Sequence, residues 1–157
     1  MKTVKGNLLD KFDDGEFDII VHGCNCFKNM GGGIAAQIAN RYPTVEAADN
    51  ATPDEALPKL GTIVPVWLSN RWLSWFIKPK IVINAYTQYN PGRDGNLQAV
   101  IHSFYELTDF IHKNNWHDKK IGIPAIGCGI AGLEWEEVER ILDPICKDLD
   151  ITLVVFE

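Results

Sequence analysis

Almost continuous apolar runs recur along the chain at Ile19-Ile20-Val21, Ile81-Val82-Ile83 and Leu153-Val154-Val155. They are too short for helices and lack the two-residue alternation of a strand with one wet face. Such runs are expected where helices cover both faces of a parallel sheet. Strands are predicted over residues 3–5, 17–22, 62–68, 80–86, 121–126 and 151–156. Between them the spacing becomes helical. Leu97, Val100, Ile101, Phe104, Leu107 and Ile111 share one face of a helix over 96–114, and Trp135, Val138, Ile141, Leu142 and Ile145 share one face of a helix over 134–147. A smaller, Ala-rich helix is predicted over 34–41, ending at Pro43. Thr52-Pro53-Asp54-Glu55 offers a capping box with proline at the first helical position, so a short extra helix is expected there. Pro144 is expected to kink or fray the last helix.

Strands alternating with helices predict an α/β fold, a three-layer α/β/α sandwich around a mixed, mainly parallel sheet. The segment from Trp67 to Trp75 reads as a hairpin with Ser69-Asn70 in its turn, which adds one antiparallel edge. No repeat or composition break divides the 157 residues, and the prolines and glycines are spread rather than pooled, so a single domain over 1–157 is expected.

A net charge of −6 argues against a duplex nucleic-acid partner that relies on releasing counterions from a phosphate backbone. It leaves room for a small anion held by backbone N–H groups. No apolar run approaches the roughly 20 residues that span a bilayer, so no membrane partner is expected and the cytoplasm is the expected location. Cys24 and Cys26 form a Cys-x-Cys pair, which is neither a redox pair nor a usual zinc half-site, so no metal and no cofactor are expected. All four cysteines read as small thiols in a reducing compartment.

The candidate chemistry lies just past two apolar strands. Residues 17–21 run into His22-Gly23-Cys24-Asn25-Cys26 and then Met30-Gly31-Gly32-Gly33-Ile34-Ala35. Residues 121–126 run into Gly127-Cys128-Gly129-Ile130-Ala131-Gly132. Ligands of open α/β sheets bind at the carboxyl ends of strands, and a glycine loop opening a helix exposes unpaired N–H groups at the positive end of the helix dipole. Two such loops are expected to grip a diphosphate from both sides. Neither is a P-loop, since the Lys-Ser/Thr pair is missing, and Gly31-Gly32-Gly33 lacks the dinucleotide-binding spacing.

Val4-Lys5-Gly6-Asn7-Leu8, Ile20-Val21-His22-Gly23-Cys24-Asn25, Gly31-Gly32-Gly33-Ile34-Ala35, Arg41-Tyr42-Pro43 and the run from Ile126 to Trp135 resemble the macrodomain family over nearly the whole chain. The resemblance is to the branch of ADP-ribose 1''-phosphate phosphatases and terminal ADP-ribose glycohydrolases. It implies a mixed sheet between helices and a cleft for ADP-ribose. Asn7, followed by Leu8, stands where many members carry an Asp that bonds the adenine amino group; an Asn there would accept through its carbonyl oxygen. The resemblance further implies that Asn25 holds the distal ribose. It lays Gly31, Gly32, Gly33 and Ile34 along the ribose and diphosphate, and closes Gly127, Cys128, Gly129, Ile130 and Ala131 over the other side. Tyr86 and Trp135, with Tyr89, are the aromatic candidates for the ligand wall.

Acids that hydrolytic relatives carry fall at Ala35 and Ala131 here, and the strand Ile83-Asn84-Ala85-Tyr86 holds no Lys, so a lysyl intermediate is not expected. His22 and Asn25 are the candidate catalytic residues. An imidazole of ordinary pKa near 6.5 suits proton transfer, while a histidine hydrogen-bonded inside the site is the structural alternative. Cys24 and Cys128 flank the expected phosphate path. The resemblance thus implies binding of ADP-ribose and hydrolysis at its distal ribose, with ADP-ribose 1''-phosphate as substrate. The alternatives are a non-catalytic reader or sequestering module, and a mono-ADP-ribosyl hydrolase acting on ADP-ribosylated protein or nucleic acid.

Overall fold

The computed structural model describes residues 1–68 and 79–157. The chain opens with β1 (Lys2–Lys5) and a six-residue helix α1 (Leu8–Asp13), then β2 (Ile19–Asn25). Two helices follow, α2 (Gly33–Arg41) and α3 (Pro43–Asn50), and a 3₁₀ turn (Leu57–Lys59) leads into β3 (Ile63–Trp67). The second half runs β4 (Ile81–Gln88), α4 (Leu97–Lys113), β5 (Lys120–Ile123), α5 (Trp135–Ile145) and β6 (Asp150–Val155).

The six described strands form one sheet in the order β1-β6-β5-β2-β4-β3. Neighbours pair in parallel except β3, which lies antiparallel to β4 with Trp67 opposite Ile81. That is the expected mixed sheet with one antiparallel edge; the turn expected at Ser69-Asn70, with the segment to Trp75, lies outside the described residues. Helices α4 and α5 cover Ile19, Val21, Ile81, Ile83, Ile121 and Ile123 on one face, burying Phe104, Leu107, Ile111, Val138 and Leu142 against them. Helices α1, α2 and α3 cover Ile20, Val82 and Val154 on the other with Leu8, Leu9, Phe12, Ile38 and Val45. Successive strand residues face opposite layers. The central strands read as unbroken apolar runs because both layers are dry.

The structure departs from the sequence pattern at several local points. Helix α1 is too short for its periodicity to stand out, yet Leu8, Leu9 and Phe12 bury one side of it and the Asn7 side chain caps it. Helix α2 ends at Arg41, ahead of Pro43 as expected, but Pro43 also begins α3, taking a first-turn position where its missing N–H costs nothing. No helix forms over 52–55. The Thr52 hydroxyl that would cap it donates instead to Asp49 O at 2.7 Å and accepts from Lys59 Nζ at 3.1 Å, while Asp54 is held by Lys28 at 2.6 Å. The strand expected to reach 126 stops at Ile123, ahead of Pro124, and the last helix ends at Ile145 with Pro144 in its final turn.

Candidate functional site

The parallel strands all end at one edge of the sheet, where a cleft of about 720 Å³ crosses their carboxyl ends. It starts beside β1 and β6 at Gly6, Asn7, Val155 and Phe156 and passes Pro124–Ile126 after β5. From there it crosses Gly23–Asn25 of β2 to Thr87 and Gln88 of β4. This is the place where open α/β sheets bind ligands.

Its walls are the two glycine loops. In the first, the Asn29 carbonyl oxygen of the side chain accepts from Gly31 N at 2.9 Å, and buried Met30 anchors the loop to the core. Gly32 is the N-cap of α2 and offers no side-chain acceptor to the first turn, so the opening N–H groups of this nine-residue helix face the cleft unpaired. Gly33 has φ +57°, a conformation that favours glycine. In the second loop, Gly127 turns at φ +77° and Leu133 N closes it onto Gly127 O at 2.8 Å. Ile130 reaches across: its Cδ1 lies 3.0 Å from where a Cβ on Gly32 would stand and 3.4 Å from the same point on Gly33. The loops therefore face each other, as their places just past two apolar strands predict. None of the described residues lining the cleft carries a charged side chain. An anion there would be met by backbone dipoles rather than by counter-ions.

Of the residues singled out in the sequence, Asn7, Leu8, Asn25, Gly31, Gly32, Gly33 and Ile34 line the cleft, as do Gly127, Cys128, Gly129, Ile130 and Ala131. The side chains of the two asparagines are already engaged. Asn25 Oδ1 accepts from Phe27 N at 2.9 Å and its Nδ2 donates to Asn29 O at 2.7 Å, so its first task is to shape the turn that carries the first loop. Asn7 Oδ1 accepts from Leu9 N and Asp10 N, capping α1, which corrects the expectation that this oxygen receives a ligand amino group.

His22, Tyr86 and Trp135 do not line the cleft. His22 is fully buried on the α1–α3 side of β2 and donates from Nε2 to Asn84 Oδ1 at 2.7 Å; Asn84 in turn donates to Val45 O of α3. Burial pushes its imidazole down to about 4, so it is neutral at physiological pH. The sequence expectation of a proton-transfer histidine facing the ligand is corrected here to a core histidine, one side chain behind the cleft wall made by Cys24. Tyr86 is likewise buried, with its hydroxyl donating to Asp49 Oδ1 at 2.7 Å. Trp135 packs its ring into the α4–α5 core. Among the described residues, the aromatic lining the cleft is Phe156, 74% exposed just past the end of β6. A lone Phe next to the last residue has no periodic signal that would single it out.

The thiols of the site are quiet. Burial pushes Cys24 upward, and Cys128 is raised to about 11 by burial with the nearby Glu134 carboxylate adding to it. Both are thiols at neutral pH, a poor state for a nucleophile. Thr87, on the cleft floor under Gly23, keeps a buried hydroxyl with no hydrogen-bond partner among the described residues.

Comparison with known proteins places this geometry. Residues 21–142 match the Macro domain family. An uncharacterized 17.5 kDa protein of Enterobacteria phage T4 is 31% identical over 158 residues, covering 100% of this chain and 97% of the phage protein. The ADP-ribose 1''-phosphate phosphatase of Saccharomyces cerevisiae is 27% identical over 181 residues, covering 96% of this chain and 95% of the yeast protein. Among solved structures, the macrodomain of Mycobacterium tuberculosis DarG superposes with a TM-score of 0.77 at 25% identity, over 98% of this chain and 95% of that one.

Proposed function

The chain belongs to the Macro domain family, and from that premise we propose that its cleft binds ADP-ribose or a close derivative. The observation that carries this reading is the pair of glycine loops facing each other across an uncharged cleft, with Ile130 over Gly32. The diphosphate lies between them, held by the first-turn N–H groups of α2 on one side and the backbone of residues 127–131 on the other. Hydrogen bonds from backbone amides to a charged group contribute about 1.5–3 kcal/mol each, enough for several to hold the ligand without a lysine or arginine. The adenine rests at the end beside Phe156 and Asn7. The distal ribose points toward Asn25 and Gln88, at the β4 end of the cleft.

A second reading adds hydrolysis of a group on the distal ribose, most directly the 1''-phosphate. It is supported by the full-length likeness to the yeast phosphatase. Against it stand Ala35 and Ala131 where hydrolytic relatives carry acids, and a cleft without a charged side chain among its described residues. Binding is therefore the function the geometry supports best, with ADP-ribosylated protein as the alternative source of the same nucleotide. The purified protein, incubated with ADP-ribose 1''-phosphate, with mono-ADP-ribosylated protein and with plain ADP-ribose, separates these readings. Released phosphate marks a phosphatase, released ADP-ribose a hydrolase of protein conjugates, and binding heat without product a reader.

A further inference from the structure

We propose that the base end of this cleft reads a purine through a hydrogen-bond donor, and so accepts diphosphate-riboses of 6-oxopurines as readily as that of adenine. The inference rests on the reading of the cleft as an ADP-ribose site and concerns which base that site takes.

The observation is at Asn7. Its Oδ1 accepts from Leu9 N at 2.9 Å and from Asp10 N at 3.2 Å, the two bonds that cap α1. A carbonyl oxygen has two lone pairs, and both are used. The same bonds settle which way the amide points, since the reversed amide would set its NH₂ against two backbone N–H groups. What Asn7 has left for the cleft is Nδ2, a group that only donates and that has no partner among the described residues. The surrounding side chains at this end, Leu8, Leu9, Val154, Val155 and Phe156, offer no polar group to compete with it.

A purine stacked on Phe156 therefore meets one side-chain donor at its edge. The adenine 6-amino group is itself a donor and cannot pair with Nδ2, so adenine must turn a ring nitrogen to it. Hypoxanthine and guanine carry an acceptor oxygen at the 6-position and pair with it directly. A carboxylate at position 7 would behave in the opposite way. One oxygen would cap α1 and the other, able only to accept, would select the amino group of adenine.

Two ligands and two proteins test this. Calorimetric affinities for ADP-ribose and for inosine diphosphate ribose are measured on the wild type and on Asn7→Asp, which keeps a good N-cap and so keeps α1. The wild type is expected to bind the two within about threefold. Asn7→Asp is expected to shift the ratio toward ADP-ribose by about tenfold or more, the scale of one hydrogen bond to a charged group. A wild type that prefers ADP-ribose by more than about tenfold, or a ratio that Asn7→Asp leaves in place, overturns the inference while the ADP-ribose reading stands. If the wild type binds neither nucleotide, the ADP-ribose reading falls and takes the inference with it.

Discussion

Ile130 Cδ1 stands 3.0 Å from the point that a Cβ on Gly32 would occupy. The residues are nearly a hundred positions apart in the chain, and their contact joins the two loops that enclose the cleft. Gly32 itself has φ −139°, extended backbone that any residue adopts. What a side chain here would meet is the flexible end of Ile130 and the space between the loops, not strain in its own backbone. Ile130 is 58% exposed, an apolar side chain spread over glycines at the surface, and a diphosphate between the loops would lie beneath it.

Phe156 is expected to be the aromatic against which the base stacks. Phe156→Ala should weaken ADP-ribose binding by about ten- to a hundredfold, since stacking of a base on an aromatic ring contributes roughly 1–3 kcal/mol. Tyr86→Phe, which removes only a buried hydroxyl bonded to Asp49, should lower the melting temperature and leave affinity within a fewfold. Titration of both variants with ADP-ribose checks the pair; equal affinities for Phe156→Ala and the wild type would move the base elsewhere.

His22 makes stability depend on pH. Its folded-state pKa, about 4, lies below the ordinary 6.5, so the unfolded chain binds the extra proton first as the pH falls. The stability contributed by the neutral, buried ring is fully present above pH 6.5 and is lost as the pH drops toward 4, by about 3 kcal/mol in all. Denaturant unfolding between pH 7 and 4 should therefore show a steeper decline for the wild type than for His22→Gln. Parallel curves would place the histidine in contact with water.

Thr87 carries the reverse signature. A buried hydroxyl without a partner is a desolvation cost, so Thr87→Val, equal in shape, should stabilise the free protein by about 1 kcal/mol. The check is the urea midpoint; a variant less stable than the wild type would mean that the hydroxyl is satisfied in solution.

The central strands were readable because both faces are dry, and a short uninterrupted Ile-Ile-Val or Ile-Val-Ile run bounded by polar residues suits a strand covered on both sides. The long helix α4 announces both ends, with the Asn96 side chain accepting from Ala99 N and Asn114 closing it. Helices α1 and α3 are six and eight residues long and owe their existence to packing on the sheet, which no local period records. The glycine loops were readable as walls because backbone, not side-chain identity, makes them. The inward groups were harder. Alternation along β2 puts His22 on the same side as Ile20, already buried against α1–α3, and that register held the signal that the imidazole turns to the core. The engagement of Asn7 follows from α1, so missing that helix meant misjudging the asparagine that caps it.

The central claim is that a diphosphate lies between the glycine loops, and Gly32→Glu tests it most directly. The substitution suits the extended backbone at this position and displaces only the flexible end of Ile130, so the variant should fold, but it places a carboxylate where the anionic ligand must sit. Isothermal titration of the wild type with ADP-ribose should give saturable binding, and folded Gly32→Glu, matched to the wild type by circular dichroism, should give none. Undiminished affinity in Gly32→Glu would contradict the account, leaving the two loops as turns and the ligand elsewhere.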